Sequence, residues 1–133
     1  MGRKSAKAEK EQRLPDGRIV LCGANAYEEK YFFNEAQFGR LPESIKEELR
    51  IISVLFTQEV GGVFLIVFDE DGSVSFETNA AEDDITYDEV SCGLLVNEIR
   101  RKRQELFSSV SLYYRAFILK EDVASLLAGE EAQ

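Results

Sequence analysis

The densest group of side chains able to do chemistry in this chain is a set of carboxylates: Glu82, Asp83, Asp84, Asp88 and Glu89. Close carboxylates can hold Mg²⁺ or Ca²⁺ through oxygen, or support carboxylate-based catalysis. The same residues equally suit a solvated helix N-terminus, where the backbone dipole favours negative charge. Asp69-Glu70-Asp71-Gly72 opens like a calcium loop, but its glycine comes two positions early and no glutamate follows in register. A polar hairpin tip is the simpler account.

Other chemistry is narrowed by residue type. The chain has no histidine, which removes the commonest general base, the Ser-His-Asp and Cys-His constellations and the His-based zinc sites. Cys22 and Cys92 lie far apart with no CxxC pair, so two structural thiols are expected rather than a zinc knuckle or a redox pair. Gly61-Gly62 lacks the surroundings of a phosphate loop. Arg100-Arg101-Lys102-Arg103 is the one basic run in the body, but four consecutive helical residues spread around the axis instead of forming a stripe. Cys22-Gly23-Ala24-Asn25-Ala26-Tyr27 is a small-residue loop after a strand, a place where sites often sit, yet no base accompanies it. No catalytic residue and no cofactor is expected.

The elements that must position these groups follow from periodicity. Arg18 to Cys22 reads as a short strand and Tyr31-Phe32-Phe33 as a second. Ser44 and Glu47 fit a capping box that opens a helix, with Ile45, Leu49, Ile52 and Phe56 at helical spacing. Ile51, Val54 and Leu55 are expected to broaden its buried face, and Gly61-Gly62 to end it. Val63 to Phe68 and Ser73 to Thr78 read as a hairpin, with Asp71-Gly72 in its turn and Val74 and Phe76 facing inward. Thr86 and Glu89 fit a second capping box. The helix it opens carries Cys92, Val96, Ile99, Arg103, Leu106, Val110, Tyr113 and Phe117, a heptad-like seam. The rival reading stops this helix near Ser108-Ser109 and makes Val110 to Leu119 a strand. Leu126-Leu127 reads as a last turn.

The expected fold class is therefore α+β. An antiparallel sheet of short strands and hairpins carries two main helices on one face, the second of them long. Residues 1–16 read as a mobile basic tail, 17–128 as a single domain and 129–133 as a frayed acidic end. A long second helix would span about 45 Å and overhang a domain whose radius of gyration is about 14 Å. Arg103, Leu106, Val110, Tyr113 and Phe117 would then face a second copy, so a homodimer is expected.

Charge is the strongest compositional signal. The formal net is −9, and no Lys or Arg occurs between Arg50 and Arg100. Such a body repels phosphate backbones, so no nucleic acid is expected, whereas a basic protein partner would be attracted. No apolar run is long enough to span a membrane and no secretory leader is read at the start, which points to the cytoplasm, where thiols stay reduced.

Residues 22–27, Phe56-Thr57-Gln58-Glu59-Val60-Gly61-Gly62 and the segment from Glu105-Leu106-Phe107 to Tyr113-Tyr114-Arg115 together resemble a small uncharacterised family of Firmicutes proteins, across residues 18–120. The resemblance implies a bacterial, cytosolic domain of unknown function and brings no catalytic residues. Two functions follow from the residues themselves. One is a non-enzymatic, self-associating interaction module. The other is a divalent-metal-binding or carboxylate-based enzyme that uses the acidic cluster.

Overall fold

A computed structural model describes residues 13–120. The first twelve residues of the expected tail, the Leu126-Leu127 turn and the expected acidic end lie outside the described residues. Pro15 to Gly17 turn the chain as the sequence suggests, and the fold-back reaches Arg13, which bridges to Ile19.

Four strands form one antiparallel sheet in the order β2-β1-β3-β4: β1 Ile19–Asn25, β2 Lys30–Phe33, β3 Val63–Phe68 and β4 Val74–Asn79. The register between β1 and β3 slips by one residue between Val20 and Cys22. At such a bulge two residues oppose one, so Leu21 and Cys22 both enter the core. The β3–β4 hairpin forms in the expected register, with Phe68 opposite Val74 and Ile66 opposite Phe76. Only Gly72 in its turn takes positive φ, so the turn differs from the Asp71-Gly72 type read from the sequence.

Helices cover the face that carries Phe64, Ile66 and Phe68. A short α1, Glu35–Phe38, was not legible because four residues cannot display a period. Asn34 caps it from a fully buried position, accepting from the Gln37 amide at 3.2 Å and donating to the Val20 carbonyl at 2.9 Å. α2 spans Glu43–Val60 and buries Leu49, Ile52, Phe56 and Val60 against the sheet. Phe56 stacks on Phe64 at 4.3 Å between ring centroids. The expected Ser44–Glu47 capping box does not form. Pro42 precedes the first turn, its carbonyl accepting from the Ile45 and Lys46 amides, and Glu47 pairs with Arg50 instead.

The second helical arm divides into α3, Glu89–Lys102, and α4, Gln104–Tyr113, followed by a π turn at Tyr114–Ile118. The rival strand reading of Val110 to Leu119 is therefore overturned. The single long helix also needs correction: Arg103 leaves helical geometry at φ −117°, ψ 29°. The Arg103 amide still reaches the Ile99 carbonyl and its own carbonyl still accepts from Phe107, so the chain bends without ending. The bend seats Phe107 edge-on against Phe76 and Tyr114 against Phe68.

Candidate interaction surface

The acidic cluster does not converge. Asp84 accepts from the Thr86 amide and hydroxyl, at 3.0 and 2.7 Å, and from the Tyr27 hydroxyl at 2.6 Å. The Thr86 hydroxyl bond, and then the Tyr27 bond, hold its carboxyl below the ordinary carboxylate range. Asp88 caps α3 by accepting from the Ser91 amide and hydroxyl, at 3.0 and 2.6 Å, so the cap sits two residues beyond the Thr86 expected. Glu82, Asp83 and Glu89 point into solvent. Among the described residues no three Asp, Glu or Cys side chains form a group that could hold a metal ion. Asp84 ties a loop and Asp88 starts a helix.

The thiols are buried and unpaired with each other. Cys22 lies 3.8 Å from the Ser53 hydroxyl, and burial pushes it up to about 12. Cys92 accepts from the Tyr87 hydroxyl at 3.2 Å. A folded-state value above the unfolded one means that the Cys22 contribution to stability is complete below the thiol's ordinary pKa of 9.0 and is lost as pH rises through about 12. Within that window the loss is about 1.4 kcal/mol per pH unit. Urea midpoints measured from pH 7 to 11 should fall above pH 9, and more gently in Cys22→Ala. A parallel decline in the two proteins would mean that the thiol does not titrate on unfolding.

The seam expected to face a second copy is largely turned inward. Leu106 and Val110 are core residues of the monomer, and Tyr113 packs beside Phe38. Phe117 stays 58 % exposed. Arg103 sits at the bend and pairs with Glu48 at 3.3 Å. Beyond the break in helical backbone at Arg103, Leu106 and Val110 meet the chain's own core instead of a second copy.

Exposed apolar surface appears elsewhere. Ile51 and Leu55, expected to widen the buried face of α2, are 41 % and 55 % exposed. They edge a groove of about 220 Å³ between α2 and α3, with Ile52, Phe56, Leu95 and Ile99 in its walls and floor. Glu59, Glu98, Lys102 and Arg103 complete the lining. Lys102 reaches Glu98 at 2.6 Å, one helical turn back. Here the surface carries both signs of charge around an apolar centre, unlike the acidic loop at 82–89. A signal for it existed in the sequence: Ile45, Leu49, Ile51, Ile52, Val54, Leu55 and Phe56 wrap further around α2 than a helix lying on one sheet can bury.

The chain is thus a two-layer α+β protein with an antiparallel sheet and one helical face. Across residues 18–122 it matches a family described as a family of unknown function (DUF6145), and it belongs to that family. No curated protein and no solved structure matches it. Among the described residues no helix is long and apolar enough to cross a membrane.

Proposed function

We propose that this protein is a non-enzymatic interaction module that docks onto a second copy of itself through the groove between α2 and α3. The observation that carries this reading is the exposure of Ile51 and Leu55 beside Leu95 and Ile99, within a rim that holds two acids and two cations. A central apolar patch inside a polar rim is the anatomy of a protein interface. The mixed rim favours a copy over another partner. In a two-fold contact each surface meets itself, so Glu59 and Glu98 can lie opposite Lys102 and Arg103.

Light scattering across a size-exclusion peak tests this directly. The full chain should give a dimer mass at tens of micromolar, and Leu55→Glu should give a monomer. Leu55 is exposed in the single chain, so the variant should keep the wild-type melting temperature within a few degrees. A monomer mass for the wild-type chain up to high-micromolar concentration would overturn the proposal.

A further inference from the structure

The most exposed large apolar side chains among the described residues lie on and just before the outer face of α3. Val90 and Leu94, one turn apart on the helix, are 74 % and 67 % exposed, and Ile85, in the preceding loop, is 96 % exposed. Cys92 and Ile99 mark the buried face of the same helix, so Val90 and Leu94 stand across the axis from the core. Gly93 and Asn97 flank them and are also exposed. A methyl added at Gly93 meets nothing within 4 Å, so no contact inside the chain calls for glycine there, although glycine weakens a helix interior. Its effect is to leave the middle of the stripe low.

The loop that bears Ile85 is tied down. The Tyr27 hydroxyl accepts from the Ala81 amide at 2.9 Å and donates to Asp84 at 2.6 Å, and Asp84 accepts from Thr86 on the far side of Ile85. Ile85 is thus held in solvent between two anchored neighbours. Five carboxylates border these apolar side chains, and none is neutralised among the described residues. Asp84 and Asp88 accept from neutral donors, whereas Glu82, Asp83 and Glu89 make no hydrogen bond or ion pair. The next cation along the chain is Arg100, about three turns further on, and it lies over the Phe76 ring. Lys102 is held by Glu98. Arg101 continues the line of Val90, Leu94 and Asn97 and bounds the acidic track at its far end.

We infer that the outer face of α3, from Ile85 to Asn97, binds a basic amphipathic helix of another protein. Apolar side chains of that helix cover Val90 and Leu94, and its lysines or arginines meet the carboxylates beside them. The face of a helix presents no free backbone amide or carbonyl, so a segment lying on it must satisfy its own backbone, which a helix does and an extended strand does not. Charge selects the rest. A second copy would bring the same five carboxylates to the contact, and nucleic acid or an anionic membrane surface would bring phosphates. The inference is independent of the α2–α3 groove, which uses Leu95 and Ile99 on another face of α3.

The probe is a synthetic peptide of about five helical turns, with leucines at three- and four-residue spacing and lysines flanking them, titrated into the full chain. Binding should saturate, raise the peptide's helical circular dichroism, shift the backbone amide resonances of residues 85–97 and weaken as salt is added. Val90→Ser combined with Leu94→Ser should weaken binding roughly tenfold or more, with the melting temperature within a few degrees of wild type because both side chains are exposed. Asp83→Asn combined with Glu89→Gln should weaken it several-fold, and Leu55→Glu should bind as the wild-type chain does. The proposal is overturned if a peptide with serines in place of the leucines binds as well, since an acidic field alone would then explain the contact. It is overturned if glutamates in place of the lysines bind as well, or if Leu55→Glu abolishes binding, which would seat the peptide in the α2–α3 groove. Loss of a dimer mass in Val90→Ser with Leu94→Ser would make a second copy the occupant and overturn it equally.

Discussion

Val110→Glu should fail to fold, and Val110→Ala should fold with a clear loss of stability. Val110 is 0 % exposed in α4 and belongs to the same core as Phe38, Phe56 and Phe107. Among the described residues no buried cation shares that core. An uncompensated buried charge costs several kcal/mol, against a total stability of about 5–15 kcal/mol for a domain. Truncation to alanine removes about two methylene equivalents and leaves a partial cavity, a cost of about 2 kcal/mol. Far-ultraviolet circular dichroism of Val110→Glu and urea unfolding of Val110→Ala measure the two effects. A soluble Val110→Glu with a cooperative melt would place α4 wrongly and restore the outward-facing seam. The contrast with Leu55→Glu is what makes the pair informative. Both put a glutamate on an apolar helical position, but one position is filled from all sides and the other is open to solvent.

The same comparison shows how far the sequence could be read. The spacing from Cys92 to Phe117 identified helical structure correctly, through serines and β-branched residues that argued for a strand. Periodicity reports that a stripe will be covered and is silent on what covers it. Val110 meets the core of its own chain, one helical stretch beyond Arg103, whose non-helical backbone bends the arm. Nothing in an Arg-Arg-Lys-Arg run announces that bend. The hairpin was legible because alternation over Ser73 to Thr78 and the Asp71-Gly72 pair agree. The helix starts were displaced by one or two residues where two capping residues compete: Asp88 wins over Thr86 because the Thr86 hydroxyl is engaged by Asp84.

The candidate sites were less legible than the fold. Five acids close in sequence looked like a ligand set, yet Asp84 and Asp88 each fold back on their own neighbours within three residues. Short polar side chains in loops satisfy the nearest backbone first, so density along the chain overstates density in space. The α2–α3 groove was hidden by the opposite error. Ile51 and Leu55 suit a core by being apolar, whereas one sheet face covers only one stripe of the helix and leaves both exposed.

Gly62→Ala should be the most damaging of the small substitutions, well beyond Gly61→Ala. Gly61 ends α2 at φ 89°, ψ −168°, and Gly62 follows at φ 70°. Both conformations disfavour a Cβ, and strain at such positions costs about 1–3 kcal/mol. The two differ in what the new methyl meets. At Gly61 the nearest atom is on the Tyr87 ring at 4.0 Å, an ordinary contact. At Gly62 the methyl collides with the Asn79 carbonyl of β4 and comes within 2.8 Å of the Tyr87 ring. The carbonyl is backbone at the end of a paired strand, opposite Val63, and has little room to withdraw. On the other side the methyl presses on Tyr87, whose hydroxyl donates to Cys92. Overpacking of this kind adds about 1–3 kcal/mol, so urea midpoints should place Gly62→Ala below Gly61→Ala by at least that order. A local readout accompanies the global one. If Tyr87 swings away, Cys92 loses its cover and should react with a thiol reagent in the native state faster than in the wild-type chain, while Cys22, fully buried under α2, stays silent until unfolding. Equal midpoints for the two glycine variants, with unchanged Cys92 reactivity, would show that the Gly62 methyl finds space and that the contact between the α2–β3 turn and Tyr87 does not hold the start of α3 in place.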